Sequence, residues 1–180
     1  MEIEKTDIEG VVLIRPKVYT DERGYFMETF SDRWFRENVA DVDFVQDNES
    51  RSTFGVIRGL HFQRPPFAQG KLVRCTRGKV LDIALDIRSG SPTYGHWVSA
   101  VLSDENKCQF YVPEGFAHGF AVLSGEAVFQ YKCTNYYHPE AEGGIALDSV
   151  GIEWLIPAMK RIISAKDLNH VDFCDFKTPF

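Results

Sequence analysis

The chain has 180 residues, of which 44% are hydrophobic and 26% are charged. A core of this size can bury most of the apolar surface of the unfolded chain, so we expect one globular domain, residues 1–180, and not a disordered or fibrous protein. The net charge of -6 argues against a general affinity for nucleic acid or anionic membrane, and a bound phosphate would need a local basic pocket.

The N-terminal segment and the spacing of the cysteines bear on the cellular compartment of the protein. The first ten residues carry several charged side chains and lack the apolar core of a signal peptide, and no apolar run is long enough to span a bilayer. Cys75, Cys108, Cys133 and Cys174 are widely spaced, which favours reduced thiols over a zinc site or a disulfide framework. The sequence therefore predicts a cytoplasmic protein.

Short apolar or alternating runs, separated by Gly, Pro, Asp and Ser, follow one another from Val11 onward, which is typical of an all-β sandwich or barrel. In the clearest run, Val80–Arg88, apolar residues share one face, which we expect to be packed, whereas the other face, with Asp82 and Asp86, is less apolar. The predicted strands are Val11–Arg15, Tyr25–Phe30, Val56–Phe62, Lys71–Arg77, Val80–Arg88, Trp97–Leu102, Gln109–Val112, His118–Leu123 and Glu126–Lys132.

One surface helix is predicted at Ser31–Val39, where Ser31 can cap the first turn. Arg77–Lys79 reads as a tight turn between strands, and Gly143-Gly144 as a loop before Ile145. The lack of long helices, of GxGxxG and of a Walker-type sequence excludes doubly wound nucleotide-binding folds. A jelly roll open at one end is expected instead, because inward side chains from several strands converge there on one pocket.

Arg58, His61 and Lys71 are polar residues in otherwise apolar strands, and each has two readings. Arg58 is either a sheet-edge residue or a phosphate anchor, and His61 is either a core histidine bonded to backbone or a base. Lys71 shares a strand face with Val73 and Cys75, and we expect this face to point into the barrel. The Lys71 side chain therefore either reaches the rim of the barrel or binds an anion.

Tyr131 and Asp167 are also ambiguous when each is taken alone. A strand tyrosine usually packs with its hydroxyl satisfied. Asp167, within Ser164–Asp167, has two possible roles. It is either part of a helix cap or turn, or a carboxylate that orients a basic histidine.

A metal centre is not expected, because it would need several imidazoles and a carboxylate that converge. His118 follows the turn Pro113–Gly115, but the earlier segment offers only His61 to pair with it. His96, His138 and His170 stand apart and are interpreted as surface residues without a role.

Several motifs, in order, closely resemble the dTDP-4-dehydrorhamnose 3,5-epimerase family. The resemblance is collinear and extends from Gly10 to Asp167. The motifs are Asp21–Phe30 (DERGYFMETF), Gln46–Asn48 (QDN), Arg58–His61 (RGLH), Gln69–Lys71 (QGK), Pro113–Phe120 (PEGFAHGF) and Tyr131–Tyr137 (YKCTNYY).

The resemblance implies a homodimeric cupin jelly roll, without metal or organic cofactor, that inverts carbons 3 and 5 of dTDP-4-dehydro-6-deoxy-D-glucose. It implies that His61 is the general base with Asp167 as partner, that Tyr131 is the general acid, and that Lys71 faces the keto oxygen. The implied substrate-binding residues are Gln46, Asp47 and Asn48 at the nucleotide, Arg58 and Lys166 at the diphosphate, His118 and Glu142 elsewhere around the substrate, Tyr137 stacked on thymine, and Arg23, Phe26 and Glu28 from the partner subunit.

Two features depart from simple expectation. Residues 145–157 and the tail after Asp167 differ from the family pattern, which affects the surroundings of Glu142 and Lys166. Arg58 and His61 would point to opposite faces of a regular strand, so a bulge or strand end is needed if both reach one pocket.

Three alternatives to 3,5-epimerisation remain open. A relative could epimerise carbon 3 or carbon 5 only, since the second proton transfer depends on how the ring turns in the pocket. A non-catalytic sugar-nucleotide-binding cupin and a metal-dependent cupin oxygenase or isomerase are the other two.

Overall fold

A computed structural model describes all residues, Met1–Phe180. No helix in it is both long enough and apolar enough to cross a membrane. The strands are β1 (Glu2–Lys5), β2 (Val12–Arg15), β3 (Val18–Asp21), β4 (Gly24–Met27), β5 (Gln46–Thr53), β6 (Ile57–Gln63), β7 (Lys71–Arg77), β8 (Lys79–Asp86), β9 (Trp97–Ser103), β10 (Gln109–Val112), β11 (Phe116–Val122), β12 (Glu126–Cys133) and β13 (Glu142–Gly144). The helix α1 spans Asp32–Asn38, and 3₁₀ turns span Pro139–Ala141, Ala158–Lys160, Asp167–Asn169 and Phe173–Asp175.

Two antiparallel sheets form a jelly roll, so the all-β prediction is confirmed. The first sheet has six strands in the order β1-β2-β10-β7-β12-β5, and the second has five in the order β13-β6-β11-β8-β9. Strands β3 and β4 form a separate two-stranded hairpin. Because sequence neighbours such as β11 and β12 lie in different sheets, residues far apart in the chain meet between them.

Three apolar clusters hold these layers together. The core between the sheets includes Val73, Phe110, Phe120 and Phe129. On the outer face of the second sheet, residues 145–156 pack against β6, β8 and β11, and Trp154 is fully buried there. Helix α1 covers the outer face of the first sheet, where Phe35 contacts Tyr111. Burial of this apolar surface is the main stabilising contribution to the fold.

Strand β8 is buried on both faces, which corrects the expected contrast between a packed and a less apolar face. Val80 and Ala84 belong to the core between the sheets, and Leu81 and Ile83 pack under the C-terminal segment. Asp82 therefore has no exposed surface. The C-terminal segment covers a face that would otherwise contact solvent.

Some of the predicted turns, caps and strand ends are confirmed, and others are wrong. Ser31 caps α1 by accepting a hydrogen bond from Trp34 N at 3.5 Å, and the turn at residues 77–79 joins β7 to β8. The predicted strand at Tyr25–Phe30 ends at Met27. Gly143-Gly144 is not a loop: it pairs with β6 opposite Phe62 and His61. Strands β1, β3 and β5 were not predicted.

Candidate active site

A cleft between the sheets brings His61, Lys71 and Tyr131 together. Two adjoining cavities, of about 530 Å³ and about 320 Å³, are each lined by these three side chains. His61 lies on β6 in the second sheet, whereas Lys71 and Tyr131 lie on β7 and β12 in the first. The imidazole and the phenol therefore come from facing walls.

A bulge in β6 brings Arg58 and His61 to the same cleft. His61 pairs with His118 and Arg58 with Phe120, so two residues of β6 oppose the single residue Gly119. Gly59 adopts φ +147, and a Cβ there would lie 2.7 Å from Gly119 Cα. Only glycine fits this close approach, and the extra residue reverses the side-chain alternation. The expected bulge is present, and both side chains line the larger cavity.

His61 and Asp167 form a hydrogen-bonded pair. His61 Nε2 lies 2.8 Å from Asp167 Oδ1, and the Asp167 backbone N–H donates to Ser164 Oγ at 3.1 Å. Burial favours a higher pKa for the Asp167 carboxyl, but the hydrogen bonds and the neighbouring imidazoles outweigh it, so the pKa is lowered. An ionised Asp167 can fix the tautomer of His61 and leave Nδ1 free to accept a proton.

Lys71 and Tyr131 both sit in a partly desolvated wall of the cleft. Burial lowers the pKa of Lys71, although Cys133, Asp82 and Glu142 act in the opposite direction. Burial also raises the pKa of the Tyr131 phenol, which keeps its proton near neutral pH. A neutral phenol can act as a proton donor, and an ammonium group can stabilise a nearby oxyanion.

A second histidine–carboxylate pair lies beneath the first. His118 Nε2 is 2.9 Å from Asp82 Oδ1, and both side chains are buried. Burial raises the pKa of the Asp82 carboxyl, while His118 and then Lys71 counteract the shift. His118 lines the larger cavity. Asp82 lies behind it as its hydrogen-bond partner, and no pattern in the sequence predicts this pair.

Polar side chains at the rim of the cleft form hydrogen bonds with one another. Ser52 Oγ accepts hydrogen bonds from Arg58 Nε and Nη2, both at 3.2 Å, which directs the guanidinium. The Glu142 carboxylate accepts from the Tyr137 hydroxyl at 2.7 Å and from Lys166 Nζ at 2.6 Å. The predicted residues that line one or both cavities are Gln46, Asn48, Arg58, His61, Lys71, His118, Tyr131, Tyr137, Glu142, Lys166 and Asp167.

Four predicted residues lie outside the cleft of this chain. Asp47 alternates with Gln46 and Asn48 on β5, so its side chain points to the other face and pairs with Lys132 Nζ at 3.0 Å. Arg23, Phe26 and Glu28 lie on or just after the exposed β3–β4 hairpin, where Phe26 is 71% exposed. Arg23 forms an ion pair with Asp21 within the hairpin at 2.5 Å.

The family model for dTDP-4-dehydrorhamnose 3,5-epimerase matches residues 5–175. The chain belongs to this family. It is 55% identical over 168 residues to the dTDP-4-dehydrorhamnose 3,5-epimerase of Methanothermobacter thermautotrophicus, a match covering 92% of this chain and 90% of that protein.

Solved structures give the same result. The dTDP-4-dehydrorhamnose 3,5-epimerase of Elizabethkingia anophelis superposes with a TM-score of 0.93 and 49% identity, covering 97% of each chain. A dTDP-6-deoxy-D-glucose-3,5-epimerase from Legionella pneumophila, in complex with dTDP-4-keto-L-rhamnose, has a TM-score of 0.89 and 50% identity and covers 92% of this chain and 89% of that one. The predicted epimerase family and jelly-roll fold are confirmed.

This epimerase-family chain also contains a candidate metal cluster. His61, Asp167 and His170 each present a potential ligand atom, and these atoms lie within 4.8 Å of one another. His170 is not an isolated surface residue, which corrects the sequence reading: its ring packs edge to face on His61 at 5.4 Å. Its position after a turn gave no periodic signal that could have revealed this contact.

Proposed function

We propose that this chain, as one domain spanning residues 1–180, is a dTDP-4-dehydrorhamnose 3,5-epimerase. It inverts carbons 3 and 5 of dTDP-4-dehydro-6-deoxy-D-glucose and gives dTDP-4-dehydro-L-rhamnose. The observation that carries the proposal is the shared cleft of His61, Lys71 and Tyr131, in which Asp167 is bonded to the imidazole.

The chemistry requires a base, a cation and an acid. A proton beside a ketone becomes removable only if the charge that develops on the ketone oxygen is stabilised, and Lys71 is the cation suited to this oxygen. His61 Nδ1 removes the proton, and the enolate forms. Tyr131 returns a proton from the other face of the ring, because return from the side of His61 would restore the original centre.

Binding of the nucleotide positions the sugar for these transfers. Arg58 and Lys166 hold the diphosphate through charge-assisted hydrogen bonds, and Tyr137 stacks on the thymine ring. Lys166 is paired with Glu142 in the free chain, so the diphosphate must share or replace that contact. Interactions remote from the reacting carbons then hold the ring in place.

The proposed protein is a cytoplasmic homodimer with shared active sites, and its reaction needs no metal. Lys71 supplies at the carbonyl the positive charge that a metal would otherwise supply. The exposed hairpin carries Arg23 and Phe26, with Glu28 just beyond it, and delivers these residues to the partner's cleft. The four cysteines are unpaired, which suits a reducing compartment.

Proton NMR with the dTDP-4-keto sugar in heavy water tests the function. Exchange of deuterium into both carbon 3 and carbon 5, with conversion to the L-configured product, is the expected result. Label at a single carbon would assign the chain to the mono-epimerases instead, and the absence of exchange would support a binding protein without catalysis.

Replacement of His61 separates binding from catalysis. His61→Asn keeps the size and polarity of the side chain but removes the base, so dTDP binding should remain within about threefold while exchange falls by at least about a hundredfold. His96→Asn, at an exposed histidine, is the matched control and should leave both unchanged. Unchanged exchange in His61→Asn would remove this residue from the mechanism.

A further inference from the structure

His61, Asp167 and His170 form a cluster of metal-binding side chains that the proposed reaction does not use as such. One ligand atom from each lies within 4.8 Å of the other two. We propose that this cluster binds Zn²⁺ or a similar divalent transition metal, and that the bound metal inhibits the enzyme.

The donor set suits such an ion. Two imidazole nitrogens and one carboxylate oxygen are the protein ligands of many zinc sites that keep a fourth position open for water. With metal–ligand distances of about 2.0–2.1 Å, ligand atoms in a tetrahedral site lie about 3.4 Å apart. The present spacing reaches that geometry through small side-chain movements, since His61 Nε2 and Asp167 Oδ1 are already 2.8 Å apart.

His170 is held in place as the third ligand by its surroundings. Its ring lies against Gly144, where a Cβ would come within 2.2 Å of the ring. The next residue is fixed by a hydrogen bond from Ala146 N to Val171 O at 2.9 Å. His170 Nδ1 is buried and has no hydrogen-bond partner. A buried imidazole nitrogen without a partner lacks a favourable contact that a metal would supply.

The cluster is open to ions from solvent, although the charges around it limit the affinity. The His61 side chain is 27% exposed and forms part of the cleft wall. Lys71 and Arg58 face the same cleft and repel a cation, whereas Lys166 is neutralised by Glu142. The affinity should therefore be lower than that of a closed structural zinc site, and the metal should bind reversibly.

Metal binding blocks the proposed base directly. The ion takes the Nε2 lone pair and holds His61 in the tautomer that carries its single proton on Nδ1. Nδ1 then has no lone pair with which to accept a proton from the substrate, and Asp167 binds the metal instead of supporting proton uptake at the imidazole. This inhibition rests on the proposed function, but binding of the metal does not.

A cobalt titration tests binding without any turnover. Four-coordinate Co²⁺ with this donor set absorbs strongly in the visible range, so chelator-treated protein should develop the band with one equivalent of Co²⁺. His170→Phe keeps an aromatic ring beside His61 but removes both nitrogens, and His170→Gln is a second, smaller replacement. Both variants should weaken Co²⁺ binding by about tenfold or more, while His96→Gln should match the wild type.

Inhibition is measured in the proton-exchange assay with added Zn²⁺. The half-inhibitory Zn²⁺ concentration should rise by about tenfold or more in both His170 variants and stay unchanged in His96→Gln. The proposal is overturned if the wild type binds no Co²⁺, or if both His170 variants bind Co²⁺ as the wild type does. A protein that binds Co²⁺ through His170 but shows no exchange would contradict the proposed function alone.

Discussion

The neighbours of His61 fix both its tautomer and its ring orientation. A histidine on a mobile surface has neither fixed. Asp167 accepts a hydrogen bond from Nε2, and the ring of His170 packs against the imidazole edge to face. The pKa of Asp167 is lowered on balance, so its carboxylate is ionised near neutral pH and accepts the hydrogen bond of the imidazole. This arrangement is consistent with the proposed role of His61 as the general base.

Replacement of Tyr131 should uncouple proton exchange from inversion. In Tyr131→Phe, His61 and Lys71 can still form the enolate, but only the face of His61 returns a proton. We expect deuterium exchange at the carbons beside the ketone to continue within about tenfold of the wild-type rate, while formation of the inverted product falls by at least about a hundredfold. NMR of substrate and product in heavy water measures both rates.

Tyr136→Phe is the matched control, because Tyr136 is 60% exposed and lines neither cavity. It should retain both rates. If Tyr131→Phe still inverted the sugar at the wild-type rate, another acid would have to supply the second proton.

Single-residue patterns predicted the cleft only in part. The inward direction of the Lys71 side chain is predictable because Val73 and Cys75 share its strand face. Both of these residues belong to the buried core. Asp82 was missed because alternation marks a less apolar face without saying that another layer covers it. His170 was missed because a residue after a turn has no periodicity to interpret.

At the scale of elements, the bulge in β6 determines which side chains reach the cleft. Gly59→Ala would add a Cβ 2.7 Å from the Gly119 backbone at a positive φ that alanine rarely adopts. We expect the free energy of unfolding to fall by about 2 kcal/mol or more, and epimerase activity to fall as Arg58 and His61 lose their common direction. Urea denaturation and the exchange assay measure the two effects.

Gly125→Ala provides the comparison, since a Cβ there meets nothing within 4 Å. It should change the free energy of unfolding by less than about 0.5 kcal/mol. Equal stability of the Gly59 and Gly125 variants would show that the close approach in β6 is dispensable.

The sequence predicted the apolar strands better than the polar ones. Strand β5 (QDNESRST) has no apolar alternation, and it forms because β12 pairs with it along its whole length while its inner side chains line a polar cleft. Two glycines usually mark a loop, so the sequence predicts a loop where β13 pairs with β6. Its pairing with β6 depends on partners that no local pattern reveals.

At the scale of the whole molecule, a mixing experiment tests the proposed shared site. His61→Asn and a variant with Arg23, Phe26 and Glu28 all replaced by Ala should each be inactive as homodimers. In a mixed dimer, one cleft combines an intact His61 with an intact hairpin from its partner. Refolding the two variants together in equal amounts should restore about a quarter of wild-type activity.

The two inactive homodimers, combined in the assay without refolding, are the control. A hairpin that served only its own cleft would leave the refolded mixture inactive, because every cleft would then carry one of the two defects. Sedimentation of the mixture confirms that it contains dimers.

Stability toward acid should depend on Asp86. Burial tends to raise its pKa, but hydrogen bonds from Arg88, Ser91 and Thr93 outweigh this effect and hold the pKa well below its usual range. The ionised form therefore stabilises the fold above the unfolded-state pKa of about 3.9, and this contribution is lost as the pH falls toward the folded-state pKa.

Asp86→Asn should reduce the free energy of unfolding by about 3 kcal/mol at pH 7 and flatten its decline at acidic pH. Urea titrations at pH 7, 4 and 3 give both quantities, with Asp7→Asn at an exposed site as the control. A variant whose stability fell with acid as steeply as that of the wild type would show that Asp86 does not govern this dependence.

The partners in the His61–Asp167 pair are separated by 106 positions in the chain. During synthesis, the strands that carry His61, Lys71 and Tyr131 would leave the ribosome well before the carboxylate that orients the imidazole. A chain arrested or clipped ahead of Asp167 would keep every strand but lack the carboxylate partner of the proposed base. The proposed base thus gains its partner only after the strands of both sheets have been synthesised.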